Sequence, residues 1–281
     1  MKKTVIKVSL IGLLCLLVLT AGCCINITNC FKAKYERIEK LSMSMTGQTS
    51  LSAATSFGDI TVRGDDVTDC NVTAKIKAQA PSEDEAEQIG EAVKIYFIDD
   101  GEGLKLQIDK PKLDCNRSIG VSLKIIVPRR MSMVLDTSYG DIDLENLNGS
   151  ISSNTSFGDI DCKDIEGRLN LNTSYGDIDC RKICSDDIKA GSSFGDVDIS
   201  FLPSSPARLN ADIYTSYGDI DFTAPSGFAG IVDMKTSGGS IRTNLPVTVS
   251  GEIKKQQVKG SVGTGEGKLE LKTSFGSIRL K

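Results

Sequence analysis

The sequence contains no histidine and no tryptophan, and aromatic residues make up only 5% of it. Without histidine, every His-based catalytic triad, histidine general bases and most zinc sites are excluded. Few aromatic residues together with 27 glycines are typical of an all-β fold with many turns and a core of small aliphatic side chains. The 281 residues are 40% hydrophobic, which is enough to bury a core as one large domain or two small ones.

The N-terminus has the composition of an export signal. Lys2, Lys3 and Lys7 precede an apolar run at 8–19, which is shorter than the roughly 20 residues that span a bilayer. The segment that ends at Cys23, Leu-Thr-Ala-Gly-Cys, resembles the bacterial lipobox. We therefore predict a signal peptide at 1–22, diacylglycerol on Cys23, a linker at 23–44, and an exported protein anchored by lipid to the bacterial membrane, facing outside the cytoplasm. The alternative is an ordinary signal peptide cleaved nearby.

Removal of this signal makes the chain more acidic. Residues 1–22 hold three lysines and no acidic residue, so the net charge changes from −4 to −7. Such a chain lacks the basic surface that displaces counterions from phosphates. We therefore expect no nucleic-acid partner.

A hexapeptide recurs along the chain, and its spacing predicts the fold. Seven copies share an aromatic residue, a glycine, Asp or Ser, and Ile or Val, and an eighth copy has lost the aromatic residue. The copies begin at Thr55, Thr137, Thr155, Thr173, Ser192, Thr215, Thr236 and Thr273. From the second copy to the seventh, the glycines are 18 to 23 residues apart, the length of one solenoid coil, and the last interval of 37 residues is about two coils. We predict an all-β fold, a single-stranded β-helix (solenoid) with two short strands per coil.

Alternation within a coil predicts which side chains are buried. Leu169, Leu171 and Tyr175 lie at odd-numbered positions and would point to one face of a strand, whereas Ile178 lies at an even-numbered position. Gly176 therefore shifts the alternation, as a bulge or corner does. Stacked coils place equivalent residues about 4.8 Å apart. We expect a buried column of aromatic rings and a second buried column of isoleucines, with Val197 at the equivalent position of one coil. The alternative for the aromatic column is a sugar-binding ladder.

Seven cysteines follow Cys23 in a compartment that permits disulfides. Cys70 and Cys115 each lie between Asp and Asn and are a candidate disulfide. Cys162 and Cys180 occupy a slot that Leu, Ile or Phe fills in other coils, so we assign them to the core. A disulfide between these two is compatible with the coil spacing.

The segment between the first two copies has a different pattern. Ser82-Glu83-Asp84-Glu85 is a capping box that predicts a helix. Residues 94–98 and 104–108 predict a hairpin, and residues 121–127 predict a strand that ends at Pro128. We predict one solenoid domain at 45–281, with a small α+β insertion or cap at about 66–130 and regular coils at about 131–281.

These motifs resemble those of the DUF4097 putative-adhesin family. The resemblance rests on Leu-Lys-Ile-Ile-Val-Pro at 123–128 and on the serial Thr-Ser-Tyr-Gly-Asp-Ile copies, and it extends from about residue 45 to the C-terminus. It implies a single-stranded β-helix at the bacterial envelope, without an established enzymatic activity.

Two files of aspartates follow the glycines of the regular coils and are the candidate binding residues. Like charges about 4.8 Å apart repel by roughly 0.9 kcal/mol per neighbour even in water. The files therefore favour either a solvated face or a strip that binds calcium, which prefers carboxylate oxygens. Arg242 and Arg279 end the second file with positive charge. The aspartates of the possible calcium strip are Asp141, Asp143, Asp159, Asp161, Asp177, Asp179, Asp196, Asp198, Asp219 and Asp221.

The repetition of these carboxylates argues against catalysis. A glycosidase needs one acid with a raised pKa beside a different carboxylate, whereas these positions are nearly equivalent. We predict no catalytic residue and no organic cofactor, and a non-enzymatic adhesin that presents an acidic surface to a glycan or an envelope protein. The alternatives are an accessory component of an envelope-stress signalling system and a polysaccharide-acting β-helix enzyme.

Overall fold

The chain forms two large β-sheets that face each other across a single core. The computed structural model describes residues 32–99, 101–249 and 256–281. Each regular coil contributes one strand to each sheet, and strands of successive coils pair in parallel. The predicted all-β solenoid is confirmed.

The strands are numbered along the chain and described here in their spatial order. Sheet A contains β1 (Ala33–Ser44), β4 (Asp69–Ala80), β7 (Ser118–Pro128), β3 (Ile60–Asp65), β9 (Ile142–Asn148), β11 (Ile160–Glu166), β13 (Ile178–Ile183), β15 (Val197–Phe201), β17 (Ile220–Thr223), β23 (Ile278–Leu280) and β19 (Ile241–Thr243). Sheet B contains β20 (Val247–Val249), β21 (Gln257–Val262), β18 (Gly230–Lys235), β22 (Gly267–Phe275), β16 (Asn210–Tyr217), β14 (Asp187–Phe194), β12 (Leu169–Tyr175), β10 (Ile151–Asn154), β8 (Ser132–Tyr139), β2 (Ser50–Phe57), β6 (Gly103–Asp109) and β5 (Lys94–Asp99).

The core consists of aliphatic columns on the inner faces of both sheets. The predicted column of isoleucines is confirmed, because Ile142, Ile160 and Ile178 pair in register and are fully buried. Cys162 and Cys180 face each other in the same sheet, both buried and both with free thiols. A hydrogen bond with Cys162, and then burial, raise the pKa of the Cys180 thiol well above its ordinary value. These cysteines therefore serve as core residues in this structure.

The N-terminal end carries the predicted cap. Helix α1 (Glu83–Glu91) begins at Ser82, whose Oγ accepts the backbone N–H of Glu85 at 3.4 Å, as the capping box predicts. Strands β5 and β6 form the predicted hairpin, and the strand predicted at 121–127 is the longer β7. Strand β1 pairs with β4 over its whole length. The folded region therefore begins by Ala33, and the linker predicted at 23–44 is wrong for its second half.

The candidate disulfide between Cys70 and Cys115 is not formed. Cys70 is a free, buried thiol at the start of β4, whereas Cys115 is exposed and precedes Ser118, which pairs with Gln79 near the other end of β4. Nine residues of strand span about 30 Å, and three more residues return at most about 10 Å. The two Cα atoms are therefore well beyond the roughly 4.4–6.8 Å of a disulfide. Burial raises the pKa of the Cys70 thiol to about 12.

The coils at the C-terminal end do not stack in chain order. Strands β22 and β23, the last in the chain, pair with β16 and β17 on one side and with β18 and β19 on the other. The last coil thus lies between two earlier ones. The strands of the 37-residue interval are therefore not stacked in chain order. Among the helices in the described ranges, none is long and apolar enough to cross a membrane.

Candidate functional site: an exposed aromatic ladder

The aromatic residues of the seven motif copies form one continuous stack along the corner between the two sheets. Neighbouring rings have centroids 4.8–5.0 Å apart and planes within 8° of parallel. The stack is about 29 Å long, since its six steps repeat the strand spacing. We call this set the aromatic ladder; in spatial order it contains Phe57, Tyr139, Phe157, Tyr175, Phe194, Tyr217 and Phe275.

The aromatic ladder lies outside the core, which corrects the prediction of a buried column. The seven residues are 43–56% exposed, whereas the residue two positions before each ring, a threonine in six copies and Ser192 in the other, is buried. Alternation along β12 correctly places Thr173 inside, but the chain leaves the strand at Tyr175 and turns. Gly176 has φ +158°, so the regular alternation of inward and outward side chains along a strand no longer applies at the corner. The stacking was predictable from the repeat, and the exposure was not.

The other motif residues hold the corners of adjacent coils together. The Thr173 hydroxyl donates to the Gly158 carbonyl of the preceding coil at 2.9 Å. The Thr or Ser hydroxyl of every copy after the first makes the same bond to a glycine of an adjacent coil, and that of Thr55 donates to the Val121 carbonyl. The glycines pack against each other, because a Cβ on Gly176 would lie 2.0 Å from the Gly158 carbonyl oxygen. Thr and Gly therefore specify the corner and leave the aromatic edge exposed.

The first file of aspartates, at the position after each glycine, is also structural. Oδ1 of Asp159 accepts the backbone N–H of Asp177 at 2.8 Å, and Oδ1 of Asp177 accepts the N–H of Asp196 at 2.7 Å. The same bond links every step from Asp59, whose coil joins the stack, to Ser277. Hydrogen bonds from backbone N–H groups stabilise the charged carboxylates and offset their mutual repulsion.

The second file of aspartates has a different environment. Burial, followed by repulsion from neighbouring aspartates, raises the pKa of Asp161 and Asp198 above the ordinary value, and burial raises that of Asp143. Asp179 pairs with Arg181, whose Nε lies 2.8 Å from Oδ1. Asp221 pairs with Lys281 at 2.8 Å and with Arg279 at 3.7 Å, so cationic side chains lie against the file at this end.

These positions do not form a calcium strip in this structure. In the part of the chain that the structure describes, no three Asp, Glu or Cys side chains come together to hold a metal ion. The physical reason is that the first file uses Oδ1 for backbone N–H groups, while Asp179 and Asp221 already have cationic partners. The prediction of calcium binding therefore has no support from the geometry.

Asp161→Asn is expected to stabilise the protein at neutral pH. A raised pKa means that the folded chain binds the proton more tightly than the unfolded chain, so the ionised carboxylate disfavours folding until it is protonated. Asp143, Asp159, Asp179 and Arg181 face this group. The free energy of unfolding should increase by about 0.5 kcal/mol at neutral pH, and the gain should vanish as the pH falls towards about 3.9.

Urea unfolding of wild type and variant at pH 7 and pH 4 measures this difference. Glu270→Gln is a control of opposite sign, because hydrogen bonds from Lys272 and Lys268 lower the pKa of Glu270. That variant should lose stability at pH 7 and regain parity with wild type at low pH. A destabilised Asp161→Asn protein at pH 7 would contradict the sign of the argument.

The orientation of the rings limits what the aromatic ladder can bind. Each inner ring has both faces against neighbouring rings, so solvent reaches only ring edges and tyrosine hydroxyls. The sugar-binding alternative, in which sugars stack on ring faces, does not fit the inner rings. Phe and Tyr alternate strictly along the stack, so hydroxyls recur about every 9.7 Å, twice the strand spacing. A buried tyrosine hydroxyl needs a partner, so the recurring tyrosines indicated contact with solvent or a partner, but they did not by themselves place the rings outside the core.

Comparison with known proteins identifies the family. The sequence profile of the family described as Toastrack DUF4097 matches residues 132–281, more than half of the chain. The chain belongs to this family. The matched residues of this Toastrack protein include six of the seven rings of the aromatic ladder; Phe57 precedes them. No curated protein matches the chain.

Several solved structures resemble the Toastrack chain at low identity. A putative cell adhesion protein from Clostridium sporogenes is 15% identical, with 88% of this chain and 99% of that chain covered and a TM-score of 0.35. A putative adhesin from Bacteroides fragilis is 12% identical, with 89% and 99% covered and a TM-score of 0.44. A putative lipid binding protein from Parabacteroides distasonis is 11% identical, with 89% and 98% covered and a TM-score of 0.36.

Proposed function

We propose that this Toastrack protein is an exported, lipid-anchored adhesin without enzymatic activity, and that it binds an extended partner along the aromatic ladder. The exposed ladder is the observation that carries the proposal. A contiguous apolar patch of this kind on a protein surface marks an interaction site. Phenylalanine and tyrosine are also enriched where proteins bind partners.

The shape of the aromatic ladder favours a long partner over a small molecule. Its exposed edges form a straight stripe of constant chemistry, in which apolar edges alternate with tyrosine hydroxyls. A glycan or an extended polypeptide could contact successive rings and hydrogen-bond at every second one. Binding spread over equivalent contacts suits adhesion, whereas a catalytic centre needs unlike groups at one point.

The surroundings of the ladder support a non-enzymatic role. The first file of aspartates runs beside the rings, and its carboxylates accept backbone N–H groups in every coil. These carboxylates therefore already have structural partners, the backbone N–H groups that join adjacent coils.

The lipid anchor is part of the same proposal. The signal at 1–22 and Cys23 lie outside the described residues and remain predictions. Ala33 begins β1, and the ten residues from Cys23 to Ala33 reach at most about 35 Å. The end of the solenoid that carries β1 would then be near the membrane, with the aromatic ladder leading away from it.

A triple variant, Tyr139→Ser, Tyr175→Ser and Tyr217→Ser, tests the proposal. Binding of the purified mature chain to a glycan array and to isolated bacterial envelopes should fall by at least about tenfold, because an exposed aromatic hot spot contributes roughly 1–2 kcal/mol or more. Circular dichroism checks that the variant is folded.

Two further variants sharpen the test. Tyr214→Ser is the matched control, since Tyr214 is 45% exposed on sheet B but is not part of the aromatic ladder. It should bind as wild type does. Replacing the three ladder tyrosines with phenylalanine keeps the stack and removes only the hydroxyls, so binding should weaken less. A folded triple serine variant that binds normally would refute the ladder as the binding surface.

A further inference from the structure

One end of the aromatic ladder continues into a row with a missing side chain. Strand β7 runs straight past the corner, and Gly120 lies beside Phe57. A Cβ on Gly120 would be 3.5 Å from the Phe57 carbonyl oxygen and 4.0 Å from Phe57 Cβ, which is ordinary contact. Lys77 pairs with Gly120, and Glu36 pairs with Lys77. Across adjacent strands, this row therefore contains Glu36, Lys77 and Gly120, followed by the seven rings of the aromatic ladder.

A cavity of about 300 Å³ lies over Gly120. Phe57 forms part of its wall, and Tyr139 stacks on the opposite face of the Phe57 ring. The residues with polar side chains that line the cavity are Lys34, Tyr35, Glu36, Lys77, Gln79 and Ser118. Two strand spacings, about 9.6 Å, separate the row positions of Phe57 and Lys77. A flat ring midway would lie at the same spacing from Phe57 as the rings of the ladder have from each other.

We infer that this cavity, the Phe57 slot, binds a planar aromatic ring that carries a hydroxyl group, as an eighth ring of the ladder. The Phe57 face would stack on one side of the ligand. The Lys77 ammonium, held near Glu36 at 4.0 Å, would contribute a cation–π contact on the other side. The Ser118 hydroxyl donates to Oε1 of Gln79 at 3.1 Å, which leaves the Gln79 amide N–H groups and the Ser118 oxygen for the ligand hydroxyl.

The opposite end of the ladder shows that the slot is a specific feature of this end. There Gly238 lies directly against Phe275, since a Cβ on Gly238 would be 3.0 Å from Cδ1 of that ring. Gly120 has no such close contact with the Phe57 ring. The slot is separate from the exposed ring edges of the proposed adhesive surface, so the inference holds whether or not the protein is an adhesin.

Binding of 4-fluorophenol to the mature chain, observed by ¹⁹F NMR, tests the slot. We expect saturable binding to wild type. Gly120→Phe should abolish it, because the chain's own ring fills the slot, and should raise Tm by about 2 °C through the added stacking. Gly120→Ala is the matched control, which leaves most of the space open and should bind. Lys77→Met should weaken binding about two- to fivefold by removing the cation.

The alternatives give distinct outcomes. Competition by a tyrosine-containing peptide but not by its alanine analogue would identify a partner polypeptide as the source of the ring, whereas competition by free phenols alone would identify a small molecule. Cyclohexanol or methyl glucoside that competes as well as 4-fluorophenol would overturn the requirement for an aromatic ring. Unchanged binding to a folded Gly120→Phe variant would overturn the site.

Discussion

Gly176→Ala is expected to destabilise the protein by roughly 2–5 kcal/mol, because the new methyl group meets both a strained backbone and a clash. Gly176 has φ +158°, and its Cβ would lie 2.0 Å from the carbonyl oxygen of Gly158 in the adjacent coil. That oxygen also accepts the Thr173 hydroxyl, so it cannot move without breaking the bond between the coils. Urea unfolding followed by circular dichroism measures the loss.

Gly227→Ala separates the strain from the clash. Gly227 also has positive φ, at +92°, but nothing lies within 4 Å of its Cβ position. The free energy of unfolding of the Gly227→Ala variant should therefore fall by only about 1–2 kcal/mol, which is the cost of the backbone conformation alone. Equal losses at the two positions would mean that close packing between the corner glycines does not contribute.

Truncation at the C-terminus is the second change with a large expected loss of stability. The order of the coils determines which part of the shortened chain unfolds. A chain that ends at Val262 lacks β22 and β23, which are the parallel neighbours of β18 and β19. Their loss removes four buried apolar side chains, those of Leu269, Leu271, Ile278 and Leu280, each of which contributes about 1.5–3 kcal/mol of burial. We expect β18 to β21 to unfold in this variant and limited proteolysis to trim it to about residue 224.

A chain that ends at Ala224 is the control for this experiment. This chain exposes the same edges of β16 and β17, but it contains no segment that has lost its pairing strands. It should therefore resist the protease although it is shorter. Both variants should be less soluble than the full chain, because an uncovered parallel edge can pair with other molecules. Protection of β18 and β21 in the longer variant would show that β18 docks directly on β16.

Local elements were predictable where one short pattern decides the structure. The capping box at Ser82 determined the start of α1, and alternation determined the buried side of strands such as β12. The outward direction of the aspartates was also predictable. Their use was not, because the bond from Asp159 Oδ1 to the N–H of Asp177 depends on the exact approach of two coils.

The aromatic ladder, too, could be predicted from the sequence only in part. Equal spacing of the copies was sufficient to place Tyr139, Phe157 and Tyr175 in one column. Whether that column faces the core depends on how the chain turns at each corner, and alternation carries no information once φ becomes positive. The Phe57 slot likewise could not be predicted from the sequence, because Gly120 and Lys77 lie outside the repeated motif.

The sequence by itself determined that the chain is a β-solenoid with columns of equivalent residues, because each coil repeats the same motif and stacked strands bring the copies into register. Only the tertiary structure decided that the aromatic column lies outside the core and that the last coil inserts between two earlier ones. The first depends on backbone direction at a glycine corner, and the second on which strand edges pair. Neither is encoded in hydrophobic alternation, which reports only the two faces of a single strand.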